Sequence, residues 1–189
     1  MKKLLFILIS FFVIIIISGC ETPSENTSEQ PVNALNKVTE ISFSGHHYPT
    51  GPPTDPGEVK TAGQNLIIKN MKVDSRYDSE NELVSGFLYL TINAKYDLAT
   101  GEGPVHGKWY IIPDAYPDAV WKGIFSGYRY KTGDSEWTEK VRIVGRGFGG
   151  EIEGMHVKVD EVALYDHIYG ETGFDAYSTG VIKYNDKNK

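Results

Sequence analysis

The residues best suited to acid–base chemistry near neutral pH are histidines, because the imidazole pKa is about 6.5. The chain has five of them: His46, His47, His106, His156 and His167. His46 and His47 are adjacent, so in a strand their side chains point to opposite faces and make poor joint metal ligands. A solvated loop is the favoured interpretation of that pair. His167 follows Asp166 in an acidic, aromatic segment, where the two could act as a general acid–base pair.

Paired carboxylates are the other candidates for chemistry. Glu151 and Glu153 are two residues apart, so in a strand they share a face. They could then flank a glycosidic bond, as two carboxyl groups about 5 Å apart do in retaining glycosidases. Asp160 and Glu161 form a second pair. Acidic residues on solvated faces are common, and none of these spacings identifies a reaction. The sequence therefore predicts no catalytic residue, no bound metal and no cofactor.

Two motifs that would identify an enzyme class are absent or incomplete. The chain has no GxSxG nucleophile elbow. The segment Gly145–Gly150 is similar to part of a dinucleotide-binding loop, but it has no third glycine in register and no helical pattern follows it. Serine hydrolysis and dinucleotide binding are therefore not supported.

Aromatic side chains and one cation give the strongest indication of a binding function. Trp121, Phe125 and Arg129 are spaced four residues apart, so they share one face of a strand. Together with Trp109 of the preceding strand, they are the candidate ligand-binding residues. The Arg129 guanidinium could meet the acidic head group of an amphipathic ligand. Glycines on the same face could leave room for that ligand inside the fold.

The elements that must position these residues have the pattern of β-strands. Two segments carry glycine at alternate positions, VWKGIFSGYRY from Val120 and KVRIVGRGFGG from Lys140. Repeated glycines suit a sheet that bends until it closes on itself. Seven or eight strand-like runs lie between residues 38 and 184, and none has helical periodicity. We therefore predict an all-β fold, a single antiparallel β-barrel of about eight strands over residues 38–184, in which the proline-rich stretch His46–Gly63 is a loop.

The N-terminal segment predicts export. Lys2 and Lys3 precede an apolar run over Leu4–Ile17, a pattern typical of a secretory signal. The run ends in Ile-Ser-Gly-Cys20, which resembles the bacterial lipobox and implies removal of residues 1–19 and lipidation of the Cys20 thiol. A transmembrane anchor is the alternative, although the run is shorter than the ~20 residues that a span needs. Cys20 is the only cysteine, so no intramolecular disulfide can form.

Composition assigns roles to the remaining segments. Residues 20–37 are polar and poor in large apolar side chains, so they are predicted to be a flexible tether, and residues 185–189 a solvated tail. The chain has a net charge of −6, which makes nucleic acid a poor partner because Lys and Arg must neutralise its phosphates. The lipid on Cys20, rather than charge, is therefore expected to hold the barrel at a membrane of the bacterial cell envelope. Nothing in the sequence predicts the oligomeric state.

Three stretches carry a resemblance to a known family. They are Gly101-Glu102-Gly103 with His106–Trp109, Trp121–Gly127, and Gly145–Met155. Their glycine–aromatic spacing resembles that of a bacterial family with an allene oxide cyclase-like, calycin-type β-barrel, over about residues 66–159. The resemblance implies an eight-stranded barrel that is often secreted. The plant cyclases act on an epoxide fatty acid, but no motif here matches their catalytic residues, so none is carried over.

Three functions are compatible with the sequence. The preferred one is a non-enzymatic, lipid-anchored barrel that binds a small apolar or amphipathic ligand or a partner protein. The alternatives are a cyclase- or isomerase-type enzyme acting in the barrel mouth and a packed structural or interaction module. An open apolar cavity with one or two buried polar groups would favour binding, and a pocket with a pKa-shifted His, Glu or Asp would favour catalysis. A filled barrel with an exposed apolar patch would favour the packed module.

Overall fold

The computed structural model describes residues 38–166 and 173–185, most of which lie in antiparallel strands. The strands are β1 Val38–Pro49, β2 Glu58–Ala62, β3 Asn65–Ser79, β4 Gly86–Asp97, β5 Gly103–Pro113, β6 Val120–Lys131, β7 Trp137–Phe148, β8 His156–Tyr165 and β9 Asp175–Asn185. The only helical element in these two ranges is a 3-10 turn at Gly150–Ile152. The predicted all-β fold is therefore confirmed.

Across the same described ranges, no helix is both long enough and apolar enough to cross a membrane.

The strands form one sheet that closes nearly into a ring. From β2 to β9 each strand pairs antiparallel with the next, and β9 pairs with β1. The other edge of β1 pairs with β3, from Gly45 opposite Ser79 to Pro49 opposite Ser75, and this joins the two ends of the sheet. Eight strands therefore make up the barrel, as predicted. The short strand β2 lies outside the ring, paired with β3.

Strand β1 is longer than the sequence predicts. The stretch 46–63 was predicted to be a loop, and this is wrong at both of its ends, because β1 continues through His47 to Pro49 and β2 occupies Glu58–Ala62. The backbone of His47 lies between two partner strands, opposite Ala176 of β9 and Tyr77 of β3. Proline lacks an N–H for the ladder, so Pro49 suits the end of a strand. Because β1 pairs with β9 on one side and β3 on the other, it stays extended over residues that its composition predicts to be a loop.

Glycines on the inner face of the sheet make space for aromatic rings of neighbouring strands. A Cβ at Gly107 would lie 2.6 Å from the Phe125 ring, and one at Gly145 would lie 2.4 Å from the Trp109 ring. The rings therefore occupy the space above these glycines, and the glycines allow the backbone to pass close beneath them. The expectation that glycines leave room for a ligand is wrong at these positions.

We expect Gly123→Ala to lower the free energy of unfolding by about 1–3 kcal/mol or more, as overpacking does. Its Cβ would lie 1.9 Å from the carbonyl oxygen of Val144, a backbone atom that cannot move without disturbing β7. Gly51→Ala is the matched control, because no atom lies within 4 Å of a Cβ there. Urea denaturation measures both. Equal losses at the two positions would contradict the close approach of β6 and β7.

Apolar side chains close one end of the barrel. Trp121, Ile152 and Met155 are almost fully buried there, and the Trp121 indole N–H donates to the carbonyl oxygen of Leu83 at 2.7 Å. The Gly147 N–H donates to the carbonyl oxygen of Met155 at 2.9 Å, which holds the 3-10 turn against the end of β7. We call this set of side chains the floor. The turns β4–β5 and β6–β7 lie at the opposite end, the mouth.

Candidate ligand-binding site

A cavity of about 150 Å³ lies inside the barrel. Its wall is mainly apolar and includes Trp109 and Phe125 together with Leu90 and Ile92 of β4, the strand that pairs with that of Trp109. Leu90, Ile92 and Ile143 point inward but keep part of their surface accessible, so the interior is not filled by side chains. An apolar cavity of roughly 150 Å³ holds a molecule of the size of benzene.

Ionisable side chains line the mouth end of this cavity. Arg129 of β6 lies directly opposite Glu139 of β7, and the same row continues through Ala163 and Ala176 to His47 of β1. Every residue in the row occupies an inward-facing position of its strand, since side chains alternate between faces. The two alanines between Glu139 and His47 are small and fill little of the interior. The sheet register therefore brings residues far apart in sequence to one end of the cavity.

Arg129 is buried, but its charge is compensated within the chain. Its Nε donates to Glu139 Oε2 at 3.4 Å. Its guanidinium carbon lies 4.4 Å from the ring centre of Tyr96 and 3.9 Å from that of Tyr165. Cation–π attraction is stronger where water is excluded, as it is here. An acidic head group, which the sequence suggested as a partner for Arg129, would have to compete with Glu139.

Glu139 is the hydrogen-bond acceptor at the centre of this cluster. The phenols of Tyr96 and Tyr165 donate to its two carboxylate oxygens at 3.2 and 3.5 Å. Burial raises the pKa of the Glu139 carboxyl above its ordinary value, and the neighbouring Arg129 opposes that rise. Burial also raises the pKa of both tyrosines, so their hydroxyl groups keep their protons and remain donors.

His47 carries a polar atom that no described residue satisfies. Its Nδ1 lies 3.3 Å from both carboxylate oxygens of Glu161, and both side chains are at most 6% exposed. With Nδ1 directed at Glu161, Nε2 is the ring nitrogen that this contact leaves without a partner. Nε2 is buried without a hydrogen-bond partner among the described residues, a condition that costs roughly 1–3 kcal/mol.

The His47 ring is fixed in orientation. Phe174 packs against it edge-on, with 4.8 Å between the ring centres, and Tyr165 lies 5.5 Å from Phe174. His47 itself lines the cavity, as do Phe174 and Pro53 at the mouth. The cavity therefore has an apolar body, and the His47 ring, whose buried Nε2 has no hydrogen-bond partner among the described residues, forms part of its wall at the mouth.

Three of the four predicted ligand-binding residues lie together. Trp109, Phe125 and Arg129 line the cavity. Trp121 shares their inward face but belongs to the floor, where it is fully buried and does not line the cavity. Strand β6 runs from floor to mouth, so Trp121 and Arg129, eight residues apart on it, lie about 26 Å from each other along the strand. Cys20 precedes the described residues.

The other residues singled out for chemistry do not form a site. Glu151 lies in the 3-10 turn and Glu153 follows it, so the predicted shared strand face is wrong. His46 faces outward and lies 3.0 Å from Asp175. His167 falls outside the described residues. Within the ranges that are described, no group of three or more His, Cys, Asp and Glu side chains is placed to hold a metal ion.

Sequence reasoning did not select three of the buried ionisable residues: His47, Glu139 and Glu161. Asp160 and Glu161 look alike in sequence, but the alternation of β8 separates them. Asp160 points outward and accepts from Arg142 at 3.1 Å, whereas Glu161 points inward, as Val157 and Val159 of the same strand do. The two-residue spacing of Glu161 from Val159 is the signal that could have found it.

Fold and site together define a class of protein, a small antiparallel β-barrel with an apolar internal cavity and a buried ionisable cluster at its mouth. Comparisons with protein-family models, with curated proteins and with solved structures found no match.

Proposed function

We propose that this chain is an exported, lipid-anchored barrel that binds one small, mostly apolar molecule inside its cavity. The unsatisfied Nε2 of His47 at the polar end of an unfilled apolar cavity is the observation that supports it best. A ligand whose polar end donates a hydrogen bond would satisfy this nitrogen while its body contacts Leu90, Trp109 and Phe125. Small-molecule sites combine an apolar lining with few polar groups in this way.

The electrostatics of the mouth favour a donor over an acid as the polar end of the ligand. Glu139 and Glu161 are two buried carboxyl groups, and the only buried Arg or Lys beside them in the described chain is Arg129. A ligand carboxylate would place a third acidic group in the same low-dielectric space, which is unfavourable without a further cation. A hydroxyl or ammonium group fits both Nε2 and the surrounding charge.

The proposed location rests on the N-terminal sequence. The apolar run Leu4–Ile17 and the lipobox-like end at Cys20 support export and lipidation, with residues 20–37 as the tether to a membrane of the bacterial cell envelope. The glycine–aromatic spacing supports a relationship to allene oxide cyclase-like, calycin-type barrels. The partners proposed are the membrane through the Cys20 lipid and the small ligand, with no role for nucleic acid.

Calorimetric titration with three ring compounds tests the binding proposal. We expect benzyl alcohol to bind about tenfold more tightly than toluene, because it adds one hydrogen bond to His47 Nε2. Benzoate should bind more weakly than either. Leu90→Phe should abolish toluene binding by filling the cavity, and Thr91→Phe, on the outward side of the same strand, should not. Toluene binding that Leu90→Phe leaves unchanged, or no binding of any of the three, would refute the proposal.

A second candidate is an enzyme that moves a proton within a bound substrate, of the cyclase or isomerase type. Two observations favour it: His47 Nε2 is positioned as a base, and the raised pKa of Glu139 suits an acid. Native mass spectrometry can identify a molecule that co-purifies with the protein. Incubating that molecule with the protein in heavy water distinguishes the two functions. A proton-transfer enzyme introduces deuterium at carbon, and a binding protein does not.

A further inference from the structure

The outer surface of strands β5 to β8 carries an unusual concentration of positive charge for an acidic protein. Six outward-pointing side chains on these strands are basic: Lys108, Lys122, Lys140, Arg142, Arg146 and Lys158. The only outward acidic residue on the same strands is Asp160, which pairs with Arg142. We call this surface the cationic face. The net charge of −6 therefore does not reveal that basic side chains are concentrated on one side of the barrel.

Five of the six basic side chains on the cationic face have no carboxylate partner within the described chain. Lys122 lies directly opposite Arg146 on the neighbouring strand, and His156 is the next residue in that row. Like charges in directly opposite positions destabilise a sheet. Of the six basic side chains only Arg142 has a carboxylate within 4 Å among the described residues. An anionic partner would relieve the repulsion between Lys122 and Arg146, so this surface is suited to bind one.

Three lysines elsewhere on the barrel are each paired with a carboxylate. Lys60 pairs with Glu58, Lys72 with Asp55, and Lys183 with Glu40. These pairs leave those surfaces close to neutral. Lys69 of β3 and Lys95 of β4 have no such partner among the described residues, so β5–β8 differ in the number of unpaired cations, five outward ones on four neighbouring strands.

Exposed apolar side chains are interleaved with the cations. Ile124 is 59% exposed, Leu164 49% and Phe148 43%, and Tyr128, Val144 and Val162 are exposed to a similar degree. Ile124 and Val144 lie opposite each other, so they form an apolar patch between the rows of Lys and Arg. Contiguous exposed apolar surface of this kind marks an interaction site.

We propose that the cationic face lies against an anionic lipid bilayer. Lys and Arg are attracted to acidic head groups, and each contributes roughly fivefold to the binding constant. Aromatic and aliphatic side chains insert at the boundary between head groups and acyl chains. A soluble polyanion would satisfy the cations but would leave Ile124, Val144 and Leu164 in water. The predicted anchor at Cys20 would also hold the barrel close to such a surface.

Co-sedimentation with lipid vesicles tests this inference on the chain from Leu35 onward, which contains every described strand and the described core and begins after the predicted lipidation site Cys20. We expect binding to vesicles containing roughly one quarter phosphatidylglycerol and not to pure phosphatidylcholine, with loss of binding as salt is added. The triple variant Lys122→Ser, Lys140→Ser, Arg146→Ser should weaken binding on the order of one hundredfold.

The matched control is Lys60→Ser, Lys69→Ser, Lys95→Ser, which removes the same charge from the outward faces of β2, β3 and β4. It should weaken binding several-fold less than the first triple variant. A second variant, Ile124→Ser with Phe148→Ser, should weaken binding to vesicles and leave binding to heparin, a soluble polyanion, unchanged. Urea denaturation confirms that each variant is folded.

Three outcomes would overturn the inference. One is equal binding to neutral and anionic vesicles, and another is equal weakening by the two triple variants. The third is binding to heparin without binding to vesicles, which would identify a soluble polyanion as the partner. The cationic face lies on the outside of the barrel, so none of these outcomes bears on ligand binding in the cavity.

Discussion

Replacement of Arg129 by methionine is expected to lower the free energy of unfolding by about 3–5 kcal/mol, because it leaves Glu139 as a buried charge without its cation. Arg129 and Glu139 are both 5% exposed, so water cannot take the place of the lost partner. The two tyrosine hydroxyl groups that donate to Glu139 offset only part of the penalty. Urea denaturation of the chain from Leu35 onward measures the change.

The pH dependence of this loss has a definite sign. The pKa of Glu139 is raised in the folded protein, so its neutral form favours folding, and that contribution is lost as the pH rises through the folded pKa. Removing Arg129 raises the folded pKa further. The Arg129→Met loss should therefore be small at a pH below the folded pKa of Glu139 and should grow as the pH rises through it.

Two further variants make the prediction specific to the buried pair. The double variant Arg129→Met, Glu139→Gln should recover most of the stability and lose the pH dependence, because no charge is left buried. Arg142→Met removes an arginine that is paired with an exposed carboxylate on the outer face of β7, and it should change stability by less than about 1 kcal/mol. Equal losses for Arg129→Met and Arg142→Met would show that burial of the pair is not the cause.

Strand alternation was enough to place Arg129, and it could have placed its neighbours as well. Trp121, Phe125 and Arg129 follow one another at intervals of four residues, so they share one face of β6. Because Trp121 and Phe125 are apolar, this face was predicted to point inward, and the Arg129 guanidinium with it. Finding Glu139 as its partner required the register of β6 against β7. A register is set by the turn between two strands, and the polar stretch between these two has no residue pair that fixes its type. The ligand hypothesis therefore included the cation and missed the carboxyl that compensates it.

The closing contact of the barrel is the part of the fold that local sequence could not reveal. The repeated glycines predicted a sheet that curls, and this prediction is confirmed. The joining strand β1 was predicted to end before His46, because prolines follow it closely. Pairing of β1 with both β9 and β3 keeps it extended to Pro49. Long-range pairing thus decides whether His47, and with it the unsatisfied nitrogen, lies inside the cavity.

Net charge was a poor guide to the surface for a related reason. The expectation that charge plays no part in membrane contact was drawn from the total over the chain, which is acidic. Alternation along β6, β7 and β8 assigns Lys122, Arg146 and Lys158 to the outside. The register places Lys122 directly opposite Arg146, and Lys158 lies opposite Val144, two residues along β7 from Arg146. The sequence of each strand shows only that strand's outward basic residues. The arrangement of the strands in the sheet shows that these residues lie on one surface.

Replacement of Trp121 by alanine is expected to lower the free energy of unfolding by about 3–5 kcal/mol, the loss typical of a buried tryptophan. Trp121 is fully buried in the floor, and its removal leaves a void beside Ile152 and Met155. It also leaves the carbonyl oxygen of Leu83 without the indole donor. Both changes fall on the end of the barrel that the 3-10 turn closes.

Two other aromatic variants separate these causes. Trp121→Phe restores much of the packing without the donor, so it should recover more than half of the loss and leave a deficit of about 1 kcal/mol, since the partly buried carbonyl oxygen of Leu83 loses its hydrogen bond. Tyr110→Ala removes an aromatic ring that is 41% exposed on the outer face of β5, and it should cost less than about 1 kcal/mol. If Trp121→Ala were no more harmful than Tyr110→Ala, the floor would not be a packed part of the core. Because Trp121 does not line the cavity, toluene affinity in the folded Trp121→Phe variant should match that of the unaltered chain.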